Sequence, residues 1–280
     1  MRKISESILQ DFQKMLQREE MSDGTIKQYM HAVKMFRDYA QEDEINVDLV
    51  LRFKKKLMEE YAVTTTNAVL AAVNRMFRFL QWNDCIVKAC RIQKNPFREK
   101  ERELSMEEYW QLAQTAEEQG NERMSLLLQT LTSTGIRISE LKYITLEAAK
   151  ARKAVVTLKG KTRPVFLPRE LCDRLIRYAE DNGIRTGSIF VTRSGKVLDR
   201  SNVLHAMKKL CEDADVDKEK VFPHNFRHLF ACQFYEATKD MVRLADILGH
   251  ANINTTRIYT AVSWEEEMEQ LDALRLVPSK

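Results

Sequence analysis

Apolar residues recur at helical spacing along almost the whole chain, and only one stretch breaks that pattern. Ile4, Ile8, Phe12 and Met15 share one helical face, and Ile26, Tyr29, Val33, Phe36 and Ala40 a second. Val50, Phe53, Leu57 and Tyr61 form a third stripe, and Val69, Val73, Met76 and Leu80 a fourth. Ser22 or Asp23 is placed to cap the second helix, and Thr64-Thr65-Thr66 the fourth. Short connections between the stripes fit a compact four-helix bundle. The exception is AVVTLKGKTRPVFLP at 154–168, where β-branched residues flank a Lys-Gly-Lys-Thr turn. It predicts a β-hairpin, with Pro164 placing its strand at a sheet edge.

Helices dominate the rest as well. Ser105-Met106-Glu107-Glu108 is a capping-box pattern, and two helices follow it, through about Gln119 and Thr132. Further helices are expected at 169–182, 200–214, 223–238 and 240–248 and at the end of the chain. The fold class is therefore mainly α: a four-helix N-terminal domain and a mixed, mostly helical second domain with a small antiparallel sheet.

At 280 residues the chain suits two domains. Composition shifts near residue 88: Lys88, Arg91, Lys94, Arg98, Lys100 and Arg102 stand against Glu99 and Glu101, and Asn95-Pro96 disfavours a continuous helix. The expected division is 1–93, a basic linker at 94–103, and 104–280. A net charge of +4 is compatible with a nucleic-acid partner without requiring one. Cys85, Cys90, Cys172, Cys211 and Cys232 are odd in number and show no C-x-x-C spacing, so neither zinc nor a disulfide framework is indicated. No uncharged apolar run approaches a membrane span, and the N-terminus turns polar too early for a signal peptide. A cytoplasmic location is expected.

Three of the 5 histidines lie in 224–250. In FPHNFRH, His224 and Arg227 stand three apart, on one face of a helix that Pro223 opens. A cation, an imidazole and the free N–H groups of a helix start converge there, as an anionic ligand requires. The spacing alone equally describes a surface or capping pair. Order adds specificity: Arg137 in TGIRISEL, then the hairpin lysines, then His224 and Arg227, then His250 closing ILGH, then Tyr259 nine residues later in NINTTRIYT.

In this order and spacing the chain resembles the tyrosine recombinases, the integrases of phages and mobile elements and the Xer-type resolvases, over nearly its whole length. The resemblance implies a SAM-like core-binding domain, a catalytic domain, and a C-shaped clamp on duplex DNA. It makes Tyr259 the nucleophile that forms a 3′-phosphotyrosyl link and frees a 5′-hydroxyl. Arg137 and Arg227 would grip the non-bridging oxygens, and His224 and His250 would donate to the same phosphate and assist proton movement. The family's lysine precedes a glycine in the hairpin, which selects Lys159 over Lys161 as the acid for the leaving oxygen. Glu140 would orient Arg137, and His228 would be structural. Lys27, Lys34, Arg75, Arg78, Arg98, Lys161 and Arg163, with Arg152 and Lys153, are candidate DNA contacts, and solvated surface is the competing reading for each.

No cofactor or metal is expected. The implied partners are double-stranded DNA, further copies in a tetramer on paired sites (with a monomer in solution), and an excision or directionality factor. A nucleoid-associated enzyme of a mobile element is the leading expectation. Xer-type dimer resolution, a type IB topoisomerase and a catalytically retired DNA-binding regulator are the alternatives. The tail SWEEEMEQLDALRLV sets Trp264, Met268, Leu271 and Leu274 on one stripe with acids opposite. In the family this segment packs on a neighbouring protomer; docking on its own domain is the rival reading. Departures from the family pattern are Phe226 between His224 and Arg227, Pro164 in the hairpin, and a missing acidic turn residue in LEAAKARK before it.

Overall fold

A computed structural model describes residues 2–41, 43–91, 102–158, 161–192, 194–250, 252–259, 268 and 272–274. The chain divides into two compact units, Met1–Lys94 and Asn95–Lys280. Residues 94–101 of the expected linker, including Arg98, fall outside the described set, as does most of the tail.

The first unit is four helices: α1 (Glu6–Arg18), α2 (Asp23–Ala40), α3 (Val47–Glu60) and α4 (Val63–Phe79). Ser5, Ser22 and Asn46 cap the first three, each accepting from a backbone N–H three residues on. Four phenylalanines, one from each helix, are fully or almost fully buried: Phe12, Phe36, Phe53 and Phe77. The Phe36 ring meets Phe53 and Phe77 edge-on at 5.1 and 5.5 Å, a favoured aromatic geometry.

Three expectations are corrected. The core face of α1 is Leu9, Phe12 and Leu16; Ile4 is buried ahead of the helix, and Ile8 and Met15 flank the core. Tyr61 lies beyond the end of α3 and is exposed. The threonines do not cap α4, whose N-cap is Ala62. Thr66 is instead buried and donates to the Leu57 carbonyl of α3 at 3.1 Å.

Asn67 and Asn74 lie seven apart, two helical turns, on α4. The Asn74 side chain donates to the Val87 carbonyl at 2.8 Å and accepts from the Val87 N–H at 3.1 Å. Asn67 does the same for Cys90, at 2.9 and 2.7 Å. Two side-chain amides thus stand in for a neighbouring strand and satisfy the chain leaving the bundle.

The second unit holds α5 (Met106–Glu118), α6 (Glu122–Thr134), α7 (Leu146–Ala151), α8 (Arg169–Asp181), α9 (Arg200–Ala214), α10 (Pro223–Thr238) and α11 (Met241–Leu248). Both bonds of the Ser105–Glu108 capping box form. Strands β1 (Lys153–Leu158) and β2 (Lys161–Phe166) pair antiparallel from Lys153↔Phe166 to Leu158↔Lys161. The connection is therefore two residues, 159–160, tighter than the four-residue turn expected. Lys161 and Thr162 belong to β2, and Thr162 bonds the Thr157 hydroxyl across the pair at 3.1 Å. Before the hairpin, LEAAKA forms α7, capped by Thr145 and ended by Arg152 in the left-handed region at φ 54°. Short 3₁₀ turns follow α6 (Ile138–Tyr143) and α11 (Ile253–Thr255 and Arg257–Tyr259).

Asn74→Ala is expected to leave the buried N–H and C=O of Val87 unpaired, at a cost of ~1–3 kcal/mol. Hydrogen exchange on the full chain should quicken at the Val87 amide, while the Cys90 amide, held by Asn67, stays protected. Unchanged exchange at Val87 would refute this account of the asparagine pair.

Candidate active site

The turn after α6 begins the site. Gly135 takes φ +61°, and a Cβ there would lie 2.4 Å from the Phe230 ring, so glycine is required twice over. Arg137 follows. Its backbone N–H donates to Glu140 Oε2 at 2.8 Å and its Nη1 to Oε1 at 3.1 Å. Glu140 is 1% exposed and Arg137 34%, so the carboxylate is inside and the guanidinium partly out. Glu140 thus holds both the backbone and the side chain of Arg137.

Arg227 sits one turn into α10 and is 1% exposed. Its Nη1 donates to the Gly135 carbonyl at 2.6 Å, and Nη2 to the Leu248 carbonyl at 2.7 Å and to His250 Nε2 at 3.0 Å. Burial, then the charge of Arg137, pushes its pKa down to about 10, which leaves it charged at neutral pH. Guanidinium nitrogens cannot accept, so His250 Nε2 is the acceptor and Nδ1 carries the proton. Nδ1 then donates to the Thr256 hydroxyl at 2.9 Å. Burial, followed by the charges of Arg227, Arg137 and Arg163, holds His250 down to about 4. His224, one turn before Arg227, keeps an exposed edge. Partial desolvation of its ring, then Arg227, Arg137 and Arg200, lowers its pKa too.

Tyr259 ends the last 3₁₀ turn, with its N–H on the Thr256 carbonyl at 3.0 Å. It is 3% exposed. Its ring stacks on His250 at 6.0 Å between centroids and meets the His228 edge at 5.1 Å. Burial raises the phenol pKa, while the charge and hydrogen bond of Arg227 oppose that rise. His228 bonds Cys232 Sγ at 3.4 Å and faces Glu103 at 3.4 Å, a packing role with one edge on Tyr259.

Arg137, His224, Arg227, His250 and Tyr259 are therefore brought together, from four separate elements. Lys159 lies outside the described residues, as does Arg98. Lys161 is placed by its backbone at the start of β2. Lys27, Lys34 and Arg78 are exposed on α2 and α4, and Arg75 is engaged by Glu19 at 2.5 Å. Arg163 overturns its assignment as a DNA contact. Its side chain is 13% exposed and donates to Glu140 at 2.7 Å and to the Ile247 carbonyl at 2.8 Å. Strand register puts it opposite Val156, which is 1% exposed, on the inward face. Thr256, fully buried and bonded to His250 Nδ1, was missed; nothing in its sequence context distinguishes it from Thr255.

Among the described residues, Arg137 and Arg163 share the buried carboxylate of Glu140, and Arg227 lies close enough to feel its charge, which leaves the site net positive and suited to a phosphate. Residues 102–266 match the model described as the phage integrase family, and residues 9–84 the phage integrase N-terminal SAM-like domain. The chain belongs to the phage integrase family. It is a tyrosine-type DNA recombinase. The tyrosine recombinase XerA of Thermococcus kodakarensis is 27% identical over 280 residues, 96% of each chain. Similar folds are the XerH site-specific recombinase bound to its difH substrate before cleavage (TM-score 0.70, 19% identity, 96% of this chain and 84% of that one) and a lambda integrase tetramer on a Holliday junction (TM-score 0.73, 16% identity, 92% and 78%). Among the described residues no helix is long and apolar enough to cross a membrane.

The depressed pKa of His250 has a signed consequence. The unfolded chain protonates this histidine near ~6.5 and the folded chain only near 4. Its contribution to stability is complete above ~6.5 and is lost as pH falls towards 4. At pH ~5.5, where an ordinary histidine is mostly charged, ¹⁵N NMR should show His250 neutral with Nδ1 protonated. A charged ring at that pH would sink the assignment.

Proposed function

We propose that this recombinase cleaves and rejoins DNA at paired sites through a 3′-phosphotyrosyl link to Tyr259. The observation that carries the reading is the convergence of Tyr259, His250, Arg227 and Arg137 around one positively charged centre. Tyr259 Oη attacks phosphorus in line, and the bond to the 5′-oxygen breaks. Arg137 and Arg227 meet the charge that grows on the non-bridging oxygens. A bound diester brings negative charge to His224 and His250 and raises their depressed pKa values, which fits them to move the tyrosine's proton. Lys159 protonates the departing 5′-oxygen. The phosphotyrosyl bond conserves the energy of the broken bond, so rejoining needs no nucleotide. Because Tyr259 is 3% exposed, the short turns at 253–259 shift to bring its hydroxyl to the phosphate.

Assembly as a tetramer on paired duplexes is part of the proposal, supported by the likeness to a lambda integrase tetramer on a Holliday junction. Mobile-element integration is one setting. Xer-type dimer resolution is the second reading, favoured by the XerA resemblance over 96% of both chains. A nicked duplex selected for adduct formation from a randomised pool separates them. A selected site found once in the host replicon supports resolution; a site flanking a mobile segment supports integration.

On that selected duplex, wild type should give a covalent adduct on denaturing gels and Tyr259→Phe none, with DNA binding kept because no charge is lost. An adduct with the variant would assign the nucleophile elsewhere. Cleavage should persist in EDTA, since Arg137 and Arg227 supply the charge a metal would provide; rescue only by Mg²⁺ would contradict this.

Lys159→Ala should slow cleavage by at least ~10²-fold and recover on a substrate with sulfur at the bridging 5′ position, because a thiolate departs without protonation. Recovery of Lys161→Ala instead would move the acid two residues along.

A further inference from the structure

Arg163 lies on β2, faces inward opposite Val156, and has its guanidinium inside the catalytic unit. Its two bonded partners belong to opposite halves of the site. Nη2 holds Glu140 Oε2, and the same carboxylate holds the backbone and Nη1 of Arg137. Nη1 holds the Ile247 carbonyl, while the next carbonyl, Leu248, holds Arg227. Two guanidiniums therefore close the negative end of α11, immediately before His250. The stem of Arg163 also fills the space above Gly249: a Cβ there, at φ +67°, would lie 2.5 Å from Arg163 Cδ.

We infer that Arg163 is a positioning residue for phosphate activation, coupling the β-hairpin to Arg137 through Glu140 and to His250 through the end of α11. Its action is through other residues, and it makes no contact with DNA. Glu140 has two oxygens and, in this structure, two guanidiniums to share them. With Arg163 removed, Glu140 is free to take both terminal nitrogens of Arg137 in a bidentate pair, which turns that fork from the phosphate. The Ile247 carbonyl loses its partner at the same time, and the turn carrying Gly249 and His250 loses its prop. Lysine at 163 retains the charge but, as a point donor, reaches one partner at a time.

The inference rests on the phosphotyrosyl reaction proposed above, and wild type with Tyr259→Phe on the selected duplex tests that reaction separately. Arg163→Met and Arg163→Lys are then compared with wild type by single-turnover cleavage at saturating DNA. Arg163→Met is expected to slow cleavage by ~10–100-fold and Arg163→Lys by a smaller factor, the scale of losing one well-placed transition-state donor. Gel-shift affinity should stay within ~2-fold, and the slope of affinity against salt should not change; a slope lower by about one would mark a phosphate contact and overturn the inference. A methylphosphonate at the scissile position removes the charge that Arg137 is held to meet. On it, the Arg163→Met defect should shrink to within ~3-fold, together with that of Arg137→Ala. A defect of the same size on both substrates would show a role in stability alone. If Arg163→Met does not fold, Arg163→Lys carries the same comparison, and equal defects on the two substrates overturn the inference there too.

Discussion

Besides its bond to the Tyr259 phenol, Arg227 is held by the carbonyl that ends α6, a carbonyl that ends α11, and the imidazole that follows it. A guanidinium withdrawn from water costs several kcal/mol unless its donors are matched. Here they are matched by backbone atoms from two elements far apart in sequence. One side chain thus ties α6, α10 and α11 together, in addition to their apolar packing. Removing either carbonyl's position, for example by a side chain at Gly135 against Phe230, displaces the charge itself. Fold and chemistry depend on the same bonds.

That dependence explains how the site stays positive without flying apart. Arg137, Arg163 and Arg227 repel one another; burial, and after it the neighbouring guanidiniums, lower the pKa of Arg163 and Arg227. Glu140, almost fully buried, offsets one unit, and the ends of α6 and α11 offset more through their carbonyls. The excess that remains is stored as a preorganised field, which needs no rearrangement when a phosphate enters. Burial first, and this field after it, lower the pKa values of His250 and His224. Neither is set by its own sequence neighbours.

Much of this was legible from residue types and spacing. Helix faces repeat every 3.6 residues, so α8 to α11 fell within a residue or two of expectation. Arg137, His224, Arg227 and His250 come together because each lies within about a turn of a break that sequence marks: Gly135, Pro223, Gly249. What was illegible depended on partners distant in sequence. Thr66 looked like a cap because threonine often is one, and only the approach of Leu57 gives its hydroxyl a better acceptor. Arg163 looked like a DNA contact because exposed cations on hairpins usually are solvated. Its burial follows from Glu140, 23 residues earlier, and Ile247, 84 later. The two-residue connection shifted every cross-strand partner by two places, which preserves the faces and so left the sense of the hairpin intact.

Tyr259, the proposed nucleophile, is built differently from the groups around it. Arg137, Arg163 and Arg227 are locked by charge-assisted bonds to buried acceptors, which are the strong ones. Tyr259 stands on a three-residue 3₁₀ turn, tied by one backbone bond to Thr256, by the hydrogen bond of Arg227 to its phenol and by ring contacts with His228 and His250. Ring contacts of this kind contribute ~0.5–1.5 kcal/mol each, well below the cost of moving a buried guanidinium. In the proposed reaction, the more loosely held element is the one that approaches phosphorus, forms a bond and leaves again, and the guanidiniums are the groups that hold the same phosphate through cleavage and rejoining. Thr256 stands at the join: its hydroxyl accepts from His250 Nδ1 while its carbonyl anchors the tyrosine, so the turn and the imidazole are linked through one residue.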